Sequence, residues 1–511
     1  MVDRPAANVV TSLNRLGWLK DERERYESTT RLIQARDRAL DGAATVRVDF
    51  EALRATPAVV IRRLAEDLRL EVTEAQVQAA ADSIVRPREQ RREAHNADPA
   101  KHLRDLLLAK LRDDPEDARS VFSLAQTYFA LGDFVNARQW YARRVEMGGW
   151  EEEVYFAMWQ IAQSMAQLGA PWPEVQNAYL RAWKFRPTRA EPLYAIAYRY
   201  CLDRRYRLGY RFARLAADIP FPDDLLVLDP EIYAWRATDA QAVCAAGSGR
   251  QAEAFTLWRR LLARPDISDA DRRRMTGNRD VCASAMITAA AAYPEALVPR
   301  LVAASGEADV VVSLLAGPDR GAIEQTLNSF LNCCLDVARV GRFLAVVAGL
   351  CAQDRAILLQ RYGFLQFVDP GPGDWPGARL AQLRASIRER FWLHLSDGWR
   401  FFAPENFITR LTAVLKAEAQ VFQVGINFAD AVTLTGTCAA EQEVRRAPAA
   451  GRYVLTDAVA SGPAMFDTAR LDRAGGLQAT DTDPSTAVGR RAAAAGLRTA
   501  SLDEVLCINV A

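Results

Sequence analysis

Small residues that return at a near-constant interval constrain this chain more than any other feature. From Ala125 to Ala162 is 37 residues, and from Ala162 to Ala197 is 35. In "VFSLAQTYFALGDFVNARQWYARRV" the setting is Leu124, Ala125, Tyr128, Gly132, Phe134, Ala137 and Tyr141. It returns as Ile161, Ala162, Gly169, Tyr179, Ala182 and Pro187, and again as Ile196, Ala197, Tyr200, Tyr206, Ala213 and Ala216. Each copy reads as a helix hairpin. The small residues let two helices approach, glycine makes the tight turn, and the aromatics fill the outer seam. A lone hairpin cannot bury its apolar face, so copies stack.

On these positions and this interval the segment resembles the tetratricopeptide-repeat (TPR) family. A weaker fourth copy has Ala242, Gly249, Ala254 and Trp258, and "DADRRRMTGNRDVCASAMITAAA" is expected to cap the array, which spans 103–292. Arrays of this kind bind partners on their concave face. The stretch "AYRYCLDRRYRLGYRFARL" interleaves Arg and Tyr, so Tyr198, Arg199, Arg205, Tyr206 and Tyr210 are candidates for a groove that takes a protein or glycan. Tyrosine would stack and arginine would form charge-assisted bonds. The competing reading is ordinary packing, with arginine stems covering apolar surface.

Residues 308–511 change character. "ADVVVSLLAG", "RFLAVVAG" and "FLQFVD" read as buried strands separated by helices in "AIEQTLNSFLNCCLDV" and "AQDRAILLQRYG". Such alternation predicts a mostly parallel sheet. Ligands of such sheets sit beyond the carboxyl ends of the strands, where "FWLHLSDGWRFF" delivers Ser396, Asp397 and Gly398. From Asp309 to about Leu471 the order of these motifs resembles glycosyltransferase-like proteins of the GT-A fold. The fold class expected is therefore an all-α TPR-like array followed by a GT-A-like (Rossmann-like) α/β domain.

That resemblance implies a nucleotide-sugar donor with Mg²⁺ or Mn²⁺ bridging its diphosphate. The sequence departs from the pattern twice. Where the family carries a run of acids this chain has one, Asp397, the metal-ligand candidate at this rim. At the end of the second strand, where an acidic pair is expected, it has Ala348, Gly349, Leu350 and Cys351. Donor binding without a metal would rest on arginines, with Arg320, Arg379 and Arg400 as candidates and Arg384 and Arg388 nearby. A carboxylate base for an acceptor hydroxyl would be Asp457, Asp430 or Glu405. His394 lies inside a buried strand and reads as a core histidine. The function expected is an interaction scaffold with a degenerate, catalytically impaired transferase-like domain. The alternative is an active glycosyltransferase whose repeats position a protein or glycan acceptor.

Residues 1–90 contain "VRVDFEALRATPAVVIRRLAEDLRLEV", which resembles the last third of a sulfotransferase domain. No glycine-rich phosphosulfate loop precedes it, so a remnant is expected, followed by a polar linker over 91–102. "DRAGGLQATDTDPSTAVGRR" reads as a loop, with Asp481 and Asp483 as metal candidates, and "LDEVLCINVA" as a final strand or docking segment. A net charge of +1 gives no global field for nucleic acid or an anionic membrane. No apolar run is long enough for a transmembrane segment, and "MVDRPAANVVTSLNRLGW" does not read as a signal peptide. The eight cysteines are scattered, which fits reduced core residues in a cytoplasmic protein.

Overall fold

A computed structural model describes residues 2–3, 48–49, 56–67, 73–85, 99–226, 229–303, 308–369, 376–434 and 436–510. The chain divides into two compact units: Met1–Arg186 with Asp224–Leu226, and Pro187–Asp223 with Val227–Ala511.

The first unit opens with a two-residue parallel pair, β1 (Val2–Asp3) and β2 (Val48–Asp49). Helices α1 (Pro57–Asp67) and α2 (Glu74–Val85) follow. The rest of the segment read as a sulfotransferase remnant lies outside the described residues, as does 91–98 of the linker. The linker's last residues are not linker. They begin α3 (Pro99–Asp113), because Pro99 supplies a first helical position that needs no amide donor. Then come two hairpins: α4 (Ala118–Ala130) with α5 (Phe134–Met147), and α6 (Glu151–Gln167) with α7 (Trp172–Phe185). Phe122, Ala125, Ala137, Tyr141, Phe156 and Ala157 form their core, with Ala125 and Ala137 fully buried at the closest approach. Arg144 and Glu153 pair at 3.0 Å inside it, each almost wholly buried.

The second unit carries two further hairpins, α8 (Glu191–Leu202) with α9 (Tyr206–Ala217), and α10 (Ala237–Gly247) with α11 (Gln251–Leu262). Every hairpin turn closes alike. The amides of Asp133, Ala170, Arg205 and Arg250 each bond the carbonyl five residues back. The residue before each has a left-handed backbone: Gly132, Gly169 and Gly249, but Arg204 in the third. The expected capping helix is two helices, α12 (Asp269–Val281) and α13 (Ala283–Ala290), broken at Cys282, and α14 (Val298–Ala303) follows.

Beyond it lies a nine-stranded mixed sheet in the order β5-β4-β3-β6-β11-β8-β12-β10-β9. β3 (Val310–Ala316), β4 (Arg342–Val347), β5 (Leu365–Phe367) and β6 (Phe391–Ser396) are parallel. β11 (Ala464–Asp467) runs against β6 and β8 (Val421–Gly425), and β12 (Arg498–Leu502) runs with β8. β10 (Gly451–Thr456) and β9 (Arg445–Ala447) close the edge as an antiparallel pair. A small second sheet joins β7 (Trp399–Phe401) to β13 (Cys507–Asn509), the final strand read from the tail. The architecture is of the expected class, an all-α array of helix hairpins followed by an α/β domain.

Alternate residues of β3 serve the two faces, as its pleat requires. Val310, Val312 and Leu314 join one cluster, and Val311 joins the other with Leu344, Trp392 and Phe466. Helices α15 (Arg320–Cys333), α16 (Ala352–Arg361) and α18 (Phe407–Ala417) contribute to the first cluster, and so do α10–α13. Phe255 of α11 meets Phe402 edge to face at 6.0 Å. The last hairpin and the sheet therefore share one continuous core. Helices α17 (Pro376–Ala385), α19 (Thr468–Arg473) and α20 (Pro484–Ala494) contribute to the second cluster. The loop expected over "DRAGGLQATDTDPSTAVGRR" holds for 474–483, while the residues from Pro484 onward are helical. Asp483 accepts from the Thr486 amide and Pro484 opens α20, a capped helix start inside a Gly/Asp/Thr-rich stretch. Asp481 pairs with Arg491. Among the described residues no helix is long and apolar enough to cross a membrane.

Candidate functional site

The parallel strands end at Gly317 after β3, Gly349 after β4 and Asp397 after β6. This rim is where the chemistry was expected. The Oδ2 atom of Asp397 accepts the Gly317 amide at 2.8 Å. Gly398, with φ +82°, lets the chain reverse from β6 into β7. Asp319 caps α15 by accepting the Gly321 amide at 2.8 Å. Arg320 opens that helix and bonds Asp354 at 2.9 Å, with Glu324 at 3.5 Å. Arg400 is buried and donates to Thr326 Oγ1 at 3.2 Å, to the Trp399 carbonyl and to Gln325. Burial pulls its guanidinium pKa down, and the Asp319 and Asp397 charges push it back up.

The rim thus brings together Asp397, Arg400 and Asp319, with Arg320 close in sequence. Arg379 sits half-buried in the first turn of α17. Arg384 is tied to Asp472. Asp430 ends the short turn Phe428–Asp430 beyond β8, and its side chain lies outside the described residues. Asp457 is elsewhere. It follows β10, which runs antiparallel to β12, and pairs with Arg498 at 2.7 Å. Arg498 starts β12, so Asp457 lies at the amino ends of the strands, opposite Asp397. Glu405 accepts from Arg259 and Arg410, each at 2.7 Å, and belongs to a separate cavity described below.

A divalent cation was the implied cofactor. Hard cations need several oxygen ligands. One Asp397 oxygen is taken by an amide, and the Arg400 charge stands nearby. Among the described residues no group of three His, Cys, Asp or Glu side chains comes together to hold a metal. The residues present do not fit Mg²⁺ or Mn²⁺.

His394 lies beside the rim on β6, opposite Ser313 of β3. Trp392 Nε1 donates to Ser313 Oγ at 2.7 Å, and Ser313 Oγ lies 2.9 Å from His394 Nδ1. The serine accepts from tryptophan and keeps both its proton and a second lone pair for the ring, so either imidazole tautomer can meet it. Burial lowers the His394 pKa to about 4, in keeping with that network.

The five groove candidates separate by burial. Tyr198 is half exposed and stacks on Tyr194 at 6.0 Å. Arg199 pairs with Asp203 at 2.9 Å, and Arg205 lies 5.2 Å over the Tyr200 ring. Tyr206 packs its ring directly on Gly247. Tyr210 is buried, donates to Glu253 at 2.6 Å and carries Arg250 over its face at 4.4 Å. The last two therefore hold α9 against the next hairpin, while Tyr198 and Arg199 face outward on α8.

A cavity of about 720 Å³ was not visible from the sequence. Its walls come from α11, α12, the start of α18, the β9–β10 edge and the turn after β12, all within the second unit. Arg259 and Arg410 each reach both Glu405 and Glu504 there. The Glu504 pKa is driven far below the usual carboxylate range, chiefly by the Arg259 and Arg410 charges working against burial. A local signal did exist. Arg272, Met275, Thr276 and Arg279 occupy one face of α12, and all are buried. An apolar stripe would have read as core, but one carrying two arginines reads as a lined cavity.

No protein-family model matches the chain, and no curated protein matches it. Among the solved structures that are similar in part are the following three. MamA is 15% identical over 33% of this chain and 88% of its own, with a TM-score of 0.25. The Cut9–Hcn1 hetero-tetramer of the APC/C is 11% identical over 49% of this chain and 42% of that one, with a TM-score of 0.26. A mannosyltransferase of Pyrobaculum calidifontis, in complex with GDP-mannose and Mn²⁺, is 13% identical over 45% of this chain and 67% of that one, with a TM-score of 0.30.

Proposed function

We propose that this chain is an interaction protein: a TPR-like array that docks a protein or glycan, joined to a transferase-like domain that does not perform metal-assisted sugar transfer. One observation carries the reading. At the strand rim Asp397, Arg320 and Arg400, on which a sugar diphosphate would call, are each already engaged with other groups of the protein. Asp397 holds the Gly317 amide, Arg320 holds Asp354, and Arg400 is buried against α15. Breaking the sugar–phosphate bond leaves concentrated negative charge, which calls for a divalent cation or uncommitted guanidinium groups. The outward face of α8, with Tyr198, Arg199 and the exposed Leu202, supports a docking role for the array. Titration calorimetry with a panel of nucleotide sugars, with and without Mn²⁺, tests the reading. The expected result is no Mn²⁺-dependent heat. Mn²⁺-dependent binding that is lost in Asp397→Ala would favour the enzyme instead.

A further inference from the structure

Seven arginines line the 720 Å³ cavity, against the three carboxylates of Glu405, Asp503 and Glu504. The charges are unevenly shared. Arg259 and Arg410 form a closed ring with Glu405 and Glu504, two cations to two anions. Among the described residues the five remaining arginines meet Asp280, Glu441 and Asp503, with Arg279 also 3.9 Å from Glu504 of the ring. Glu441 alone takes Arg272 at 3.2 Å, Arg446 at 2.6 Å and Arg452. Arg260 has no hydrogen bond or ion pair among the described residues. Seven lining arginines thus face five carboxylates, Glu405, Glu504, Asp280, Glu441 and Asp503, an excess of two guanidinium charges.

This excess is partly enclosed. Arg272 is 1% exposed; its Nη atoms donate to the Leu262 carbonyl at 2.6 Å and the Arg264 carbonyl at 2.8 Å, and among the described residues its Nε hydrogen finds no acceptor. Its pKa falls, first through burial and next through the neighbouring Arg452 charge. Cations crowded around one carboxylate inside a cavity do not stabilise a fold, since buried charge without a counter-charge is unfavourable. They do suit an oxyanion, which accepts forked guanidinium bonds on several oxygens. Two excess charges match a phosphate dianion. The volume lies within the range of about 300–1,000 Å³ typical of small-molecule sites, far more than one phosphate needs. Thr256, Thr437 and Asn406 on the lining suit a hydroxyl-bearing body better than an acyl chain.

We propose that this cavity binds a phosphomonoester of sugar or nucleoside size, its phosphate held by the arginine cluster around Glu441. The site uses none of the rim residues, so its failure would leave the proposed function untouched, and the reverse also holds. The test is calorimetry and thermal unfolding of the full chain at constant ionic strength with inorganic phosphate, glucose 1-phosphate and glucose. Both phosphate probes bind saturably at one site and raise the unfolding temperature, and glucose does neither. Arg446→Ala weakens binding about ten- to a hundredfold, the loss of one charge-assisted contact, while circular dichroism stays unchanged. Arg260→Ala, on an exposed side chain, serves as a second variant with little risk to folding. Binding also weakens below about pH 6, where phosphate takes up its second proton. Silence from both phosphate probes overturns the proposal. So does full affinity in both Arg446→Ala and Arg260→Ala.

Discussion

Ser313 Oγ lies 2.9 Å from His394 Nδ1 across the β3–β6 ladder, a pair buried in the centre of the sheet. Trp392 donates to the same serine oxygen, so all three side chains form one buried polar network. A folded protein with this network resists protonating His394, whose pKa is lowered to about 4, while the unfolded chain protonates near 6.5. Between those values the unfolded state binds more protons, so stability is full above about pH 6.5 and falls as pH drops towards 4. The loss amounts to about 3 kcal/mol. Urea unfolding at several pH values should show this slope, and His394→Asn should flatten it. An unchanged slope in the variant would mean that the ring titrates freely in the fold.

Arg204 occupies the left-handed turn position that glycine fills in the other three hairpins, with φ 56°. A side chain there costs about 1 kcal/mol or more. Arg204→Gly is therefore expected to raise stability by up to about 1 kcal/mol, partly offset by glycine's greater freedom in the unfolded chain. Denaturant midpoints would read it. A drop in stability would show that the arginine makes contacts that outweigh the strain.

Gly247 ends α10 where the Tyr206 ring lies against it. A Cβ there would sit 2.4 Å from ring carbons. Alanine has the better helix propensity, yet Gly247→Ala should destabilise by about 1–3 kcal/mol through overpacking. Adding Tyr206→Leu should recover part of the loss. If the single change stabilises instead, the α9–α10 contact is looser than described.

Glu504 anchors the closed ring, accepting from Arg259 at 2.8 Å and Arg410 at 3.0 Å. Glu504→Ala leaves two enclosed guanidinium groups short of one partner. The expected loss is about 3–5 kcal/mol, read as a lower midpoint of chemical unfolding. The folded carboxylate is depressed below its unfolded value, so its contribution is present above about pH 4.3 and lost as pH falls. Acid titration of unfolding should show the unaltered protein and the variant converging at low pH.

The helical array could be read from the sequence because its packing is local and periodic. Ala125, Ala162 and Ala197 announce close helix approach wherever they stand, and each is fully buried. The strands could be read because β3 and β6 are continuous apolar runs. The arginine cavity could not. Arg259, Arg272, Arg410 and Arg452 come from four elements spread over almost two hundred residues, and in the sequence each alone reads as a surface cation. Strand direction was equally hidden. Asp457 reads as a rim acid until β10 proves antiparallel to β12, which places it at the other end. α20 was missed for a different reason. Its Asp483–Pro484 start is a recognisable cap, but the glycines and threonines around it outweighed that signal.

The account rests most heavily on Asp397 and its amide partner Gly317. The decisive measurement is calorimetric titration of a nucleotide-sugar panel in Mn²⁺ and in chelator, on the unaltered protein and on Asp397→Ala. The prediction is that Mn²⁺ adds no binding in either protein. Tight binding that needs Mn²⁺ and disappears in Asp397→Ala would contradict it.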